Sequence, residues 1–441
     1  MQRTRSLVQI VLFCVTALAV VEPALAVSLT RGPYLGRPSD TAVAVIWNTD
    51  AEVDTRVDYA APDGVWHTAT SPGVSAHHVV AIEGLPSGAE INYRVFSGGV
   101  ELAPESSFRA PRDGTETRFS FGVIGDTAEG GSVLTQIADR LVESGVDFAV
   151  HTGDVVYPTG AQQNYDKTFF LPLARWLLHG PVLPTLGNHD VMTSRGAAYI
   201  TNFVVPPNGV TRSSRFYAIR QANALFVCLD VESSSFGADS PQYGWLVRTL
   251  AASTATWKFV YFHEPPYSSG HPNHIVRMIL CPLFEHFGVD IVFSGHVHLY
   301  ERTWPIHDFV PSGRGVVYIT EGGGGSPLST FHQEDYTAFV AARFGYTEVQ
   351  IDGGTLTLTA HDPNGSVFDS LVLDKPQPVP SAGVRYVRAT RDSTWDGDEH
   401  VRASPPPGVT CRAPCRRRRE PGPAPHPQQL DRRASRRTRP G

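Results

Sequence analysis

The sequence predicts an α/β layered domain preceded by a small all-β sandwich. Three observations carry this. Residues 29–111 read as short alternating apolar runs parted by turn residues. From Arg118 the rhythm changes to strand, loop and helix in alternation, and 347–373 reverts to strands alone. The 441 residues leave room for two or three domains. With 41% hydrophobic and 10% aromatic residues, a wholly disordered chain is excluded.

In the first region Ala42 to Trp47 is one strand and Arg56 to Tyr59 another, closed by Pro62-Asp63-Gly64. His78 to Ile82 and Ile91 to Phe96 follow, parted by Pro86-Ser87-Gly88. Trp47 is the expected core aromatic, and Tyr93, just after a turn, is placed for a tyrosine-corner contact. Strand runs then fall at Phe119 to Ile124, Val146 to Val150, Val182 to Leu186, Leu225 to Leu229, Phe259 to Phe262, Ile291 to Phe293 and Val316 to Ile319. Between them Ser132 to Ser144, Phe169 to Leu178, Trp245 to Ala252 and Ile275 to Phe287 read as helices; in the first, Val133, Ile137, Ala138 and Leu141 share a face. Thr347 to Ile351, Leu356 to Ala360 and Val367 to Leu373 close the fold, with Asp352-Gly353-Gly354 as a hairpin turn.

The termini read differently. Arg3 and Arg5 precede an apolar run from Leu7 to Val21, and Ala24-Leu25-Ala26 offers the small-x-small pattern of a cleavage site. Residues 1–26 are therefore expected to be an export signal, the alternative being an uncleaved anchor. No later run is apolar for long enough to span a bilayer, so a secreted or periplasmic protein without a membrane span is expected. Cys14 goes with the signal. Of Cys228, Cys281, Cys411 and Cys415, the first two lie in apolar runs that favour buried thiols over a bridge. Residues 381–441 hold 14 Arg, no Lys and 6 acids, a balance of +8 in a chain of −6. Nine Pro and no apolar period make the tail, 376–441, an expected disordered segment, either dispensable or a basic arm for an anionic surface. With the positive charge on the tail and an acidic body, no nucleic-acid partner is expected.

Residue types that bind metals recur just after strands. Gly125-Asp126 follows the first strand of the α/β region, Gly153-Asp154-Val155-Val156-Tyr157 the second and Gly187-Asn188-His189-Asp190 the third. Later strands deliver His263 and Gly295-His296-Val297-His298. In open α/β sheets, sites form beyond the carboxyl ends of strands. Seven donors (Asp126, Asp154, Tyr157, Asn188, His263, His296 and His298) are too many for one tetrahedral site and suit two ions sharing a carboxylate. Such a pair can clamp a phosphoryl group and generate hydroxide at neutral or lower pH. No thiolate joins the set, which speaks against a structural zinc site. The string His263-Glu264-Pro265-Pro266-Tyr267 is not a His-Glu-x-x-His motif, because it lacks the second His and its prolines prevent the helix.

These five blocks resemble the signature of the calcineurin-like metallophosphoesterases. Tyr157, with Tyr300-Glu301-Arg302 and Gly32-Pro33-Tyr34-Leu35, is similar to the purple acid phosphatase branch. The resemblance covers roughly residues 29–374 and implies a four-layer β-sandwich flanked by helices over 117–374. It also implies a fibronectin-III-like sandwich over 29–111. It implies a ferric ion on Asp126, Tyr157 and His298, a divalent Fe, Zn or Mn ion on Asn188, His263 and His296, and Asp154 as bridge. His189 would reach the substrate phosphate, with Asp190 holding its ring. A loop histidine would protonate the leaving group, and His271 and His274 both stand in range. His151 and Glu301 are expected to support the site rather than react, and Glu321 with Gly322 to Gly325 is either a site-edge loop or a plain turn. The expected reaction is direct hydrolysis of a small-molecule phosphate monoester by a metal-bound hydroxide. No Ser or Cys nucleophile sits in the set, so no phosphoenzyme is expected. The alternatives are a phosphodiesterase on nucleotides or phospholipid head groups and a surface-binding protein with a vestigial metal site.

Overall fold

The computed structural model describes residues 27–37, 39–127 and 131–375, which belong to one compact unit. The segment expected to be an export signal, Cys411, Cys415 and the Arg/Pro-rich tail lie outside the described residues. The chain opens with β1 (Leu29–Gly36), β2 (Val43–Ala60), β3 (Trp66–Ile82), β4 (Glu90–Ser97), β5 (Val100–Glu101) and β6 (Ser106–Arg109). They form one antiparallel sheet. The two strands expected at 42–47 and 56–59 are a single long one, β2. It pairs β3 over most of its length, while β1 and β4 take successive stretches beside it. Val43, Val45 and Trp47 face the core of this sheet, whereas Ala44 and Ile46 join a second core with the helices that follow. Burial on both faces explains why 42–47 is apolar without alternation.

Trp47 is fully buried as expected, and its indole N–H donates to Ser97 Oγ at 3.1 Å. The tyrosine corner does not form. Tyr93 OH instead donates to the Leu178 carbonyl at 3.0 Å, outside the sheet. A buried phenol needs a partner, and here the neighbouring layer supplies it. The seam is polar elsewhere too. Arg31 donates to Asp166 Oδ2 at 2.9 Å and to Asn202 Oδ1 at 2.8 Å, and Tyr34 OH donates to the Asn202 carbonyl at 3.0 Å.

Next come β7 (Arg118–Ile124), α1 (Ser132–Ser144), β8 (Phe148–His151), α2 (Gln162–Tyr165), α3 (Ala174–Leu177) and β9 (Val182–Pro184). The helix expected over 169–178 is broken. A π-type turn runs over Asp166–Phe170, and α3 begins only after Pro172, which cannot donate to a helix interior. Short helices α4 (Asn188–Val191) and α5 (Ala197–Asn202) lead to β10 (Tyr217–Gln221), β11 (Ala224–Cys228), α6 (Pro241–Ala251), β12 (Trp257–Tyr261), α7 (His274–His286) and β13 (Ile291–Ser294). Helix α6 starts earlier than its apolar period suggested, because Ser240 caps it and Pro241 opens it. The chain closes with β14 (Tyr300–Thr303), a small hairpin of β15 (Ile306–His307) and β16 (Val310–Pro311), then β17 (Val317–Glu321), β18 (Thr337–Ala341), β19 (Tyr346–Asp352), β20 (Thr355–His361) and β21 (Val367–Asp374).

Two sheets face each other. One runs β21-β20-β19-β7-β8-β9 and the other β10-β11-β12-β13-β17-β14-β18. Their inner faces make one core, in which Phe121, Phe148, Phe226, Phe259 and Phe293 interlock edge to face and stacked. Helix α1 covers the outer face of the first sheet through Leu134, Ile137, Ala138 and Leu141. Helices α6 and α7 cover the second through Trp245, Leu246, Val276 and Leu280. The result is a four-layer α/β/β/α arrangement. In it β7-β8-β9 run parallel in one sheet and β11-β12-β13-β17 in the other. Cys228 and Cys281 are buried free thiols.

Candidate metal centre

The parallel strands all end at one rim, and each block of metal-binding residue types sits just past a strand end. Asp126 follows β7, Asp154 follows β8, and Asn188 opens α4 after β9. His263 follows β12, while His296 and His298 follow β13. Close approach of these loops demands glycine, as Gly187 and Gly295 show. A Cβ on Gly187 would run into the carboxylate and backbone of Asp154, and one on Gly295 into the Asp126 carboxylate. Asp126, Asp154 and His296 hold left-handed backbone, with φ of 53°, 51° and 67°. Each such residue costs about 1–3 kcal/mol, strain that collects at functional sites.

All seven expected donors come together. Tyr157 OH lies 3.3 Å from Asp126 Oδ1 and 3.3 Å from His298 Nε2, which is itself 3.5 Å from Asp126 Oδ1. Asn188 Oδ1 lies 3.0 Å from His263 Nε2 and 3.1 Å from His296 Nδ1, and those two nitrogens are 3.3 Å apart. Asp154 Oδ2 stands between the two sets, 2.7 Å from Tyr157 OH and 3.4 Å from His263 Nε2.

The orientation of each donor is fixed from behind. Asp126 Oδ2 accepts the His296 N–H and Asp154 Oδ1 the His189 N–H, both at 2.9 Å, which leaves the other oxygen of each aimed inward. His263 Nδ1 donates to the Thr152 carbonyl at 2.9 Å and His298 Nδ1 to the Pro327 carbonyl at 2.8 Å. Each ring therefore turns Nε2 toward the cluster, the nitrogen that a cation would take once its proton is displaced. Oxygen and imidazole donors, two of them buried carboxylates, converge with no lysine or arginine among them, so the residues present fit two cations.

Charge follows from this crowding. Burial opposes a charged His263, but Asp154, then Asp126, hold it well above the usual imidazole range. Burial alone would raise Asp154; His263 outweighs it and holds the carboxyl low. Tyr157 is pushed far up by burial and by the two carboxylates it faces. Only a cation of comparable charge density makes a phenolate there favourable.

Some expected roles change. Asp190 does not hold the His189 ring. Its carboxylate accepts backbone N–H groups from Gly187 at 2.8 Å and from Val155 and Val156 at 3.2 Å, because it points back under α4. The ring of His189 is held by the Pro158 carbonyl at 2.8 Å and lies over Tyr157 at 4.2 Å between centroids. His271 and His274 are both exposed, and His274 is not a loop residue but the first residue of α7, capped by Asn273. His151 is buried and pushed down to about 3 by burial and by His263; its ring accepts the Gly153 N–H and bonds Thr127 Oγ1. Glu301 accepts Ser269 N–H at 2.6 Å and Ser269 OH at 2.7 Å, tying β14 to the segment after His263. Residues 263–267 form no helix.

Two features escaped the sequence. The segment after Gly325 wraps the centre. Ser326 N–H and OH both bond the Asp126 carbonyl, and Ser329 N–H donates to the His298 carbonyl at 2.9 Å. The Gly-rich run before it was the available signal. Glu232, just past β11, has a buried carboxylate oxygen with no partner among the described residues. Burial, with Glu264 and Asp154, pushes it up to about 8 against the pull of His263. A cavity of about 750 Å³, lined by Arg109, Arg112, Arg118 and Asp147, is at the opposite ends of the strands, where β7 begins.

Residues 119–300 match the calcineurin-like phosphoesterase family, and residues 315–370 match the iron/zinc purple acid phosphatase-like protein C family. The chain is a calcineurin-like metallophosphoesterase of the purple acid phosphatase-like branch. This metallophosphoesterase is 28% identical to purple acid phosphatase 1 of Ipomoea batatas, over 73% of this chain and 76% of that one. It is 25% identical to phosphoenolpyruvate phosphatase of Allium cepa over 75% and 76%. It is 27% identical to Fe(3+)-Zn(2+) purple acid phosphatase 12 of Arabidopsis thaliana over 56% and 60%. A purple acid phosphatase from yellow lupin (Lupinus luteus) seeds shares its fold with a TM-score of 0.69 at 20% identity, over 78% of this chain and 74% of that one. Among the described residues no helix is long and apolar enough to cross a membrane.

Proposed function

We propose that this chain is an exported, binuclear metal-dependent phosphatase that hydrolyses phosphate monoesters. The observation that carries the reading is the division of donors about Asp154 into Asp126, Tyr157 and His298 on one side and Asn188, His263 and His296 on the other. The first set, with phenol and carboxylate oxygen, suits a hard ferric ion, and the second, with imidazoles and an amide, a divalent Fe, Zn or Mn ion. A relative whose printed name carries Fe(3+) and Zn(2+) supports that pairing. Once bound, the pair supplies positive charge for the phosphoryl oxygens and makes water nucleophilic at neutral or lower pH.

The chain's own groups do the rest. Asp154, fixed at Oδ1 by the His189 N–H, keeps Oδ2 between the two donor sets. His189, with Nδ1 held by Pro158, has Nε2 available to donate to a phosphoryl oxygen when protonated. His271 or His274 gives a proton to the departing alkoxide. None of the seven donors is a Ser or Cys nucleophile, so transfer goes directly to water. The N-terminal sheet over 29–111 is the fibronectin-III-like module of this arrangement, ahead of the catalytic region at 117–374. Residues 1–26 direct export.

Hydrolysis of 4-nitrophenyl phosphate and bis(4-nitrophenyl) phosphate at several pH values tests the reading. Turnover of the monoester, lost on chelation and restored by iron with zinc, supports it. Turnover of the bis-ester alone would convert the enzyme to a phosphodiesterase, and turnover of neither by metal-loaded protein would end the enzymatic reading.

A further inference from the structure

One large exposed aromatic side chain, Phe331, lies in the segment that wraps the centre. Phe331 is 41% exposed, and its ring joins none of the four apolar cores among the described residues. Its backbone is nonetheless held from both sides. Two residues before it, Ser329 N–H donates to the His298 carbonyl at 2.9 Å, and Ser329 Oγ accepts the His298 N–H at 3.0 Å. On its other side, His332 N–H donates to the Ser269 carbonyl at 2.9 Å, and Ser269 is anchored to Glu301 and leads directly to His271. Two extended residues reach at most about 7 Å, so Phe331 is confined between the loop that carries His298 and the loop that carries His271. The metal centre itself is wholly polar. An exposed phenyl ring costs free energy in water, and the backbone that carries this one is tied to the loops of His298 and His271.

We propose that Phe331 is a specificity-determining residue, the face on which the leaving group of the ester packs, and that it selects leaving groups with a flat aromatic ring over aliphatic ones. The inference rests on the phosphatase reading, since it takes the phosphoryl group to sit at the donor cluster. Ring-on-ring contact adds to simple burial, whereas an alkyl group of similar reach gains only the area it covers.

Binding of two non-hydrolysable probes tests it without turnover. Dissociation constants for phenylphosphonate and ethylphosphonate are measured by calorimetry on the purified protein and on Phe331→Leu and Phe331→Tyr. Exposure of the side chain leaves the fold insensitive to either change, and the leucine keeps apolar bulk while removing the ring. The expected result is a roughly two- to tenfold weaker phenylphosphonate complex in Phe331→Leu. Ethylphosphonate binding stays within about twofold, and Phe331→Tyr retains the preference. Equal weakening of both probes, no change in either, or no binding of either by the unaltered chain overturns the proposal. Selective phosphonate binding by a protein that hydrolyses no ester would leave Phe331 its role and remove the phosphatase reading instead.

Discussion

Asp190 accepts the backbone N–H of Val155 at 3.2 Å, and with it the loop carrying Asp154 is fastened to the loop carrying Asn188. The same carboxylate takes the N–H groups of Val156 and Gly187, so three buried donors depend on it. Replacement by alanine leaves them without a partner. Asp190→Ala is expected to lose about 3 kcal/mol of stability, seen as a lower midpoint in urea at unchanged slope. A loss below about 0.5 kcal/mol would show that the carboxylate is not the fastener.

Tyr157 is the one phenol in the cluster, and its oxygen touches members of the first donor set and Asp154 at once. Tyr157→Phe keeps the ring over His189 while removing that oxygen. A visible charge-transfer band in the iron-loaded protein should vanish in Tyr157→Phe with the near-ultraviolet circular dichroism retained. A band that survives would assign it to another ligand.

Glu321 is buried at the end of β17, bonded to Thr347 OH at 2.5 Å, and burial pushes it up to about 8. A carboxyl raised in the folded state binds a proton that the unfolded state has released. Its contribution to stability is therefore full below the unfolded value near 4.5 and fades as pH rises towards 8. In chelator, where no cation near Asp126 favours the charged form, stability should fall by up to about 1.4 kcal/mol per pH unit across that window. Glu321→Gln should flatten the profile. Parallel profiles for the two proteins would contradict this.

Arg31 links β1 to Asp166 and Asn202 with its side chain 5% exposed. Arg31→Met keeps apolar contact with Phe170, over which the guanidinium sits at 4.3 Å, but removes every donor. About 2 kcal/mol should be lost, and the first cleavages in limited proteolysis should move to the N-terminal sheet. Unchanged stability and cleavage would mean that the seam is held by apolar contact alone.

Much of the site was legible because its donors are chemically distinctive and stand directly after apolar runs. Gly125-Asp126, Gly153-Asp154 and Gly295-His296 each announce a strand end and a sharp turn together. What side chains do to one another across the fold was not legible. Tyr93 plainly needed a partner, yet only the packed layers could show that Leu178 supplies it. Asp190 next to His189 suggested a pair, while three amides from two loops claimed the carboxylate first. Strand β14 was hidden because Glu301, buried in it, breaks the apolar pattern, and Pro172 was the overlooked stop in the helix expected at 169–178. The segment Ser326 to Phe331 contains no metal-binding side chain, so nothing in its residue types marked it as a wall of the centre.

The most direct measurement is the metal content of the purified, metal-reconstituted chain by plasma mass spectrometry, set beside that of Asp154→Ala. Two donor sets sharing one carboxylate predict two ions per chain, with the pair lost or halved in the variant. A single ion per chain, or an unchanged content in Asp154→Ala, would contradict the account.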